Sequence, residues 1–244
     1  MIKAVIFDMD GTMLDTERIK ENGWKYAGKC LEITITDEII SEIRGTTNKY
    51  IESYLGKRFN KLNFEKLFKI REEFIAKEIS KNGIETKDGL IELLDFLKNN
   101  NYRMAVASSS EEKNIRTYLD KLNVIKDFEV ILSGEMVTKG KPDPEIYLKS
   151  AELLNLPIEE CIGIEDSING VLSICRAGMR AIMIPDLQEP TEEVEENQVN
   201  VFGHIHDKPI DKKFDKKNHV CVSCDVVDYI PVSISKIKSI DKQL

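Results

Sequence analysis

The chain has 244 residues, of which 32% are charged, and a formal net charge of -8. That length holds one large domain or a core with a smaller insert, and the acidic balance excludes a general nucleic-acid binder, whose affinity comes from cations that neutralise phosphates. No apolar run approaches the ~20 residues of a membrane span, and the odd, scattered set Cys30, Cys161, Cys175, Cys221 and Cys224 favours reduced thiols over a disulfide framework. With Met1-Ile2-Lys3 leading straight into a strand and leaving no room for a signal peptide, the expectation is a cytoplasmic protein, a monomer or weak homo-oligomer, with neither membrane nor nucleic acid as partner.

Ile2-Lys3-Ala4-Val5-Ile6-Phe7 is an apolar run of the length and composition of a strand covered on both faces. Asp8-Met9-Asp10-Gly11-Thr12-Met13-Leu14-Asp15 follows at once, so two carboxylates stand where an open parallel sheet binds its ligands. Two anions that close repel unless something positive lies between them, and a hard divalent cation such as Mg²⁺ meets that need with oxygen ligands. Thr16 is placed to cap a helix through Glu17, Arg18, Trp24, Tyr26 and Ala27. Residues 36 to 56 read as short helical pieces, with Thr36 or Asp37 as a cap and Gly45 as a break. Leu62 to Ile79 carries an apolar stripe of Phe64, Leu67, Phe68, Phe74, Ile75 and Ile79 and predicts a longer helix. No strand pattern occurs from 16 to 86, which predicts a helical insert.

Alternation resumes at Asp88. Leu90 to Leu97 is amphipathic helix, Tyr102 to Ala107 a buried strand, and Ser108-Ser109-Ser110 a cap for a helix over 112 to 122. Phe128 to Leu132 reads as a strand, and Gly140-Lys141-Pro142-Asp143-Pro144 opens a helix that ends near Asn155. Ile162-Gly163-Ile164 is a short strand with Glu165-Asp166-Ser167 at its end, followed by a helix to Ala177 and a last strand, Arg180 to Ile184. Repeated β-α units of this size predict an α/β fold with a doubly wound parallel sheet. In such a sheet the polar clusters at 8 to 10, 108 to 110, 140 to 141 and 165 to 167 come to lie side by side.

Together they outline a phosphoryl-transfer site. Asp8 is the candidate nucleophile, able to carry a phosphoryl group as an aspartyl phosphate. Mg²⁺ would be held by Asp8, the backbone carbonyl of Asp10 and Asp166, with Glu165 as a further candidate. Lys141 would neutralise remaining negative charge, and Ser108 and the backbone N–H groups after residues 8 and 108 would bind phosphoryl oxygens, with Ser109 and Ser110 as neighbouring substrate contacts. The side chain of Asp10 would protonate the leaving oxygen and then deprotonate the attacking water. Singly these residues mean less: Asp-x-Asp-Gly also makes turns and calcium loops, Ser108 also caps helices, Lys141 alone is a solvated charge, and Trp24 suits packing.

In order, Asp8 to Glu17, Ser108, Gly140 to Pro144 and Gly163 to Gly170 resemble the four motifs of the haloacid dehalogenase superfamily. The resemblance covers about 1 to 190 and is nearest to the β-phosphoglucomutase-like phosphatases. It implies a Rossmann-like core over 1-15 and 87-190, a helical cap over 16-86 that closes on a phosphorylated substrate, Mg²⁺, a nucleophilic first aspartate and an acid/base second aspartate. Dehalogenases of the superfamily lack that second aspartate, so Asp10 points to phosphate chemistry. Mutases of this branch usually carry a cap histidine and a lysine after the serine run where this chain has Lys20 and Glu111. The expected function is therefore hydrolysis of a small phosphate monoester, a sugar phosphate or similar metabolite. Arg44, with Lys20 and Lys49, is a candidate substrate residue, and Arg44 also fits a surface ion pair. The alternatives are a phosphosugar mutase and a catalytically silent protein that binds a phosphometabolite.

Residues 191-244 depart from that pattern. Gly203, Pro209 and Pro231 interrupt them and Lys212-Lys213-Phe214-Asp215-Lys216-Lys217 crosses them. His204, His206, His219, Cys221 and Cys224 form a nitrogen-and-sulfur set suited to zinc. The stretches Val201 to Asp207, Asn218 to Asp225 and Tyr229 to Ser233 also resemble the end of a calcineurin-like metallophosphoesterase, whose other motifs need histidines that this chain lacks before His204. A divergent terminus, with Val220 to Val227 prone to pair with a sheet edge, is the expectation.

Overall fold

The computed structural model describes residues 1–188, Thr191, and the backbone of 200–202 and 219–221. Strand β1 (Ala4–Phe7) lies at the centre of a parallel sheet with β2 (Arg103–Ala107), β3 (Val130–Leu132), β4 (Cys161–Glu165) and β5 (Arg180–Met183), in the order β3-β2-β1-β4-β5. Every residue of β1 is buried because alternate side chains enter two different cores. Val5 and Phe7 pack with Leu94, Leu97, Ile115 and Leu119 of α5 (Leu90–Asn99) and α6 (Glu112–Lys121). Ala4 and Ile6 pack with Ile146, Tyr147, Val171 and Ile174 of α7 (Glu145–Leu153) and α8 (Ile168–Arg176). Full burial of side chains of this size stabilises the fold by roughly 1.5–3 kcal/mol each. Helices on both faces make the sheet doubly wound, as the β-α alternation predicts.

The register aligns Phe7 with Val106 on one side and with Ile164 on the other. The chain therefore leaves β1, β2 and β4 at one level, and Asp8, Ser108 and Glu165 emerge together. The backbone N–H of Asp8 still donates to Ile164 O at 2.9 Å, and that of Ser108 to Leu132 O at 3.0 Å.

Between β1 and β2 stand α1 (Glu17–Cys30), α2 (Asp37–Ile43), α3 (Asn48–Gly56) and α4 (Phe64–Asn82), with a core of their own around Trp24, Ile39, Ile43, Leu55 and Leu67. Thr36, Thr47 and Asn63 cap α2, α3 and α4 by accepting from the N–H groups of Ile39, Tyr50 and Lys66. The two crossings between sheet and insert run side by side: Asp15 N–H donates to Glu85 O, Lys87 N–H donates to Met13 O, and Leu14 bridges Thr86.

Two sequence expectations fail locally. Thr16 precedes α1 but makes no capping bond, and the serine triplet does not cap α6, which Glu111 precedes without a side-chain cap. In both cases a buried carboxylate, Asp10, takes the hydroxyl instead. Beyond the sheet, β6 (Asn200–Phe202) and β7 (His219–Cys221) pair in parallel. The basic run, His204, His206 and Cys224 lie outside the described residues, and His219 and Cys221 are described in their backbone alone. No helix among the described residues is long and apolar enough to cross a membrane.

Candidate active site

At the centre of the sheet edge, Lys141 is buried and uses all three of its ammonium protons. It donates to Asp8 Oδ1 at 2.6 Å, to Glu165 Oε1 at 2.7 Å and to Ala107 O at 3.0 Å, with the Tyr147 ring centroid 5.1 Å away. Burial alone would lower its pKa, but the Asp8 and Glu165 carboxylates hold it well above the usual lysine value. It is a fixed cation.

Glu165 is saturated. Its Oε2 accepts from the N–H groups of Asp166 and Ser167 at 2.9 and 2.8 Å and from Ser167 Oγ at 3.0 Å. This folds the side chain back onto its own loop, against Gly170, where a Cβ would lie 1.7 Å from Oε1. Asp166 faces the opposite way, onto the Asp8 loop. Thr12 Oγ1 donates to its Oδ1 at 3.2 Å, and a Cβ on Gly11, whose φ of +89° already favours glycine, would lie 2.2 Å from its Oδ2.

Asp8, Glu165 and Asp166 each offer an oxygen within 4.8 Å of the others'. Burial pushes the carboxyls of Asp8 and Asp166 well above the usual range; Lys141 opposes this at Asp8, and among the described residues no cationic side chain is paired with Asp166. Three ionised carboxylates against one ammonium leave an excess of two negative charges, the charge of one divalent cation. All-oxygen donors of this kind suit Mg²⁺, so the residues present fit such an ion. Asp8 and Asp166 have the freer oxygens, while the oxygens of Glu165 already accept from Lys141 and from the 165–167 loop.

Asp10 does not join that cluster with its side chain. The chain turns at Gly11, and the Asp10 carboxylate points toward the helical insert. It accepts from Thr16 Oγ1 at 2.7 Å and Ser110 Oγ at 2.6 Å, lies 2.6 Å from Lys20 Nζ, and has Ser108 Oγ at 3.5 Å. Burial raises its pKa, but the Lys20 ammonium and the two closer hydroxyls outweigh that and hold it below the usual value. Lys20 also donates to Ser110 Oγ at 3.2 Å. Burial works against its charge, yet Asp10 and Glu17 keep it raised.

Above these groups lies a cavity of about 90 Å³ between sheet edge and insert. Arg44 lines it, buried and not part of a surface ion pair, with Nε 3.1 Å from Glu17 Oε2 and Nη2 3.3 Å from Glu21 Oε2. Arg71 packs over the Trp24 ring at 4.3 Å and pairs with Glu72 Oε1 at 2.6 Å. Trp24 is itself buried and packs edge-on against Phe68, so it serves the insert's core as well as the cavity wall. Lys49 is exposed and lines no part of the cavity. Ser109 donates to Gly45 O at 2.6 Å and so fastens insert to sheet edge. Sequence reasoning missed Thr12, Thr16, Glu17, Arg71 and Glu72. Thr12 and Thr16 were within reach, since both stand inside the motif that holds the aspartates, whereas the other three depend on how the insert's helices face.

Fold and site together define a doubly wound α/β protein whose acidic strand-end centre is roofed by inserted helices. The model of the haloacid dehalogenase-like hydrolase family matches residues 5–184, and the chain belongs to that family. It is 30% identical over 181 residues to a Thermotoga maritima protein named phosphorylated carbohydrates phosphatase, covering 74% of this chain and 84% of that one. It is 32% identical over 188 residues to the β-phosphoglucomutase of Bacillus subtilis, covering 74% and 82%. A mutant CbbY from Rhodobacter sphaeroides, solved in complex with xylulose-(1,5)bisphosphate, superposes with a TM-score of 0.67 at 26% identity, covering 77% of this chain and 88% of that one.

Proposed function

We propose that this chain is a Mg²⁺-dependent phosphatase that hydrolyses a small phosphorylated metabolite, a sugar phosphate or similar monoester, through an aspartyl phosphate on Asp8. The observation that carries this reading is the pairing of a buried acid cluster, its negative charge only partly balanced, with one fixed lysine, under a roof that encloses the space in front of Asp8. Homology to a phosphorylated carbohydrates phosphatase supports it.

Asp8 attacks phosphorus, the ester P–O bond breaks, and the alcohol leaves with a proton. Lys141 aims Asp8 and favours its ionised form against the effect of burial, and afterwards balances charge on the phosphorylated carboxylate. Mg²⁺ held by Asp8, Asp166 and the Asp10 carbonyl would screen the approach of two anions. Ser108 and neighbouring backbone N–H groups bind the phosphoryl oxygens. Water then attacks phosphorus and gives its proton to the Asp10 carboxylate, which the surrounding donors already hold in its basic form, while the bond from phosphorus to the Asp8 oxygen breaks, releasing inorganic phosphate and restoring the Asp8 carboxylate. Protonation of the leaving oxygen in the first half needs Asp10 with its proton on, so substrate entry loosens the Lys20 contact. Residues 16-86 act as a lid, and the paired crossings at 14–15 and 85–87 are its hinge.

The direct test compares wild type with Asp8→Asn on p-nitrophenyl phosphate, with and without Mg²⁺. Metal-dependent release of phosphate, lost in the variant, is the expected result; equal and metal-independent rates would leave a silent binding protein. Similarity to a β-phosphoglucomutase keeps the mutase reading in view, and phosphorus NMR with hexose 1-phosphates separates isomer from free phosphate.

A further inference from the structure

The outer half of the cavity carries charges that the catalytic chemistry does not use. Among the described residues, its cationic lining consists of Lys20, Arg44 and Arg71. Each already has a carboxylate partner: Lys20 has Asp10, Arg44 has Glu17 and Glu21, and Arg71 has Glu72. None is left over for a second anionic group.

At the mouth the balance turns negative. Glu111, at the start of α6, lines the cavity and makes no ion pair among the described residues. Partial burial raises its carboxyl, and the Glu72 and Glu135 charges add to that effect. Glu72 comes from α4 of the insert and is steadied by Asn114 Nδ2 of α6 at 3.4 Å, so the two acids face each other across the seam between insert and sheet edge. A second phosphate would enter between them.

The guanidinium groups do not make up for this. Arg44 Nε and Arg71 Nε are buried without a hydrogen-bond partner and so are not open to a molecule in the cavity, and Arg44 Nε has the Glu17 carboxylate 3.1 Å away. A second phosphate would therefore meet paired cations and the carboxylates of Glu72 and Glu111.

We infer that the cavity selects a monophosphate ester with an uncharged body and rejects a second phosphate, with Glu72 and Glu111 as the rejecting residues. This rests on the phosphatase reading above and narrows its substrate class. It also bears on mutase chemistry, because moving a phosphoryl group from an aspartyl phosphate to a free hydroxyl of a monophosphate produces a bisphosphate that the same cavity must hold.

The test uses the full chain with Mg²⁺ and matched pairs of substrates: glucose 6-phosphate with glucose 1,6-bisphosphate, fructose 6-phosphate with fructose 1,6-bisphosphate, and ribulose 5-phosphate with ribulose 1,5-bisphosphate. p-Nitrophenyl phosphate is the control for phosphatase activity. In the pair turned over best, kcat/KM for the monophosphate should exceed that for the bisphosphate by roughly tenfold or more, since like charges brought together across a site cost several kcal/mol. The double variant Glu72→Gln, Glu111→Gln should shrink that ratio by a similar factor. Equal or better use of the bisphosphate by the wild type, or a ratio unmoved in the variant, overturns the inference. Hydrolysis of the control with no sugar monophosphate accepted overturns the inference as well. Inactivity on the control as well sinks the phosphatase reading, and the inference with it.

Discussion

Replacing Asp166 by Asn should make the metal-free protein more stable while removing its response to Mg²⁺. The change deletes one charge from the acid cluster and keeps the Oδ1 acceptor that Thr12 uses. At the 4.8 Å limit of the cluster, two unit charges repel by about 3 kcal/mol at an effective dielectric constant of about 20. Lys141 offsets part of this, so the variant should gain about 1–3 kcal/mol in chelator, or about 2–12 °C in Tm for a chain of this size. Asp166 has its folded pKa raised above the unfolded value. Its contribution is therefore fully present below the unfolded pKa and is lost as pH rises through the folded one. The chelated wild type should thus lose stability as pH climbs above the ordinary carboxylate range, and the variant should lose less. Mg²⁺ at about a hundred times its Kd should restore about 2.7 kcal/mol to the wild type and nothing comparable to Asp166→Asn. Thermal unfolding from pH 5 to 8, in EDTA and in Mg²⁺, reads all of this. A variant no more stable than wild type in EDTA, with the same Mg²⁺-dependent rise in Tm, would refute the charge argument.

Other expectations follow from single contacts. Lys20→Met removes the ammonium that holds the Asp10 pKa down; since the basic form of Asp10 is the active one in the water step, the acid limb of the kcat–pH profile should move to higher pH, and an unmoved limb would separate Lys20 from Asp10. Arg44→Ala takes a buried guanidinium away from the buried Glu17 and the partly exposed Glu21, which keep Lys20 and Lys25 nearby; this should cost about 1–3 kcal/mol and lower Tm by about 2–12 °C; a change within error would place the Arg44 pairs among ion pairs of no net worth. Deleting residues 203–244 should leave Mg²⁺-dependent turnover largely intact, because the family match ends at 184; joint loss of folding and activity would show that the tail completes the core.

The sequence by itself determined the sheet and the place of the centre. Apolar runs of strand length, each followed by helix, leave a parallel doubly wound sheet as the arrangement that buries both faces, and polar residues that follow such runs must emerge at one edge. Asp8, Ser108, Lys141, Glu165 and Asp166 were therefore legible as neighbours despite long separations in the chain, 133 residues between Lys141 and Asp8 among them. Only the tertiary structure decided how the neighbours divide their contacts. Glu165 turns onto its own loop and Asp166 onto Asp8, a difference set by Gly170 and Gly11 and not by residue type. Thr16 and Ser110 look like helix caps because capping is a local pattern that one stretch of chain can display. They serve Asp10 instead, because a buried carboxylate gains more from a charge-assisted bond than a helix end gains from a cap that water can replace. The pairing of Arg44 with Glu17 and Glu21, and of Arg71 with Glu72, follows from which way four short helices face once packed around Trp24 and Leu67. Periodicity marks the apolar side of each helix; it does not say which charged residues of the other side meet across a cavity.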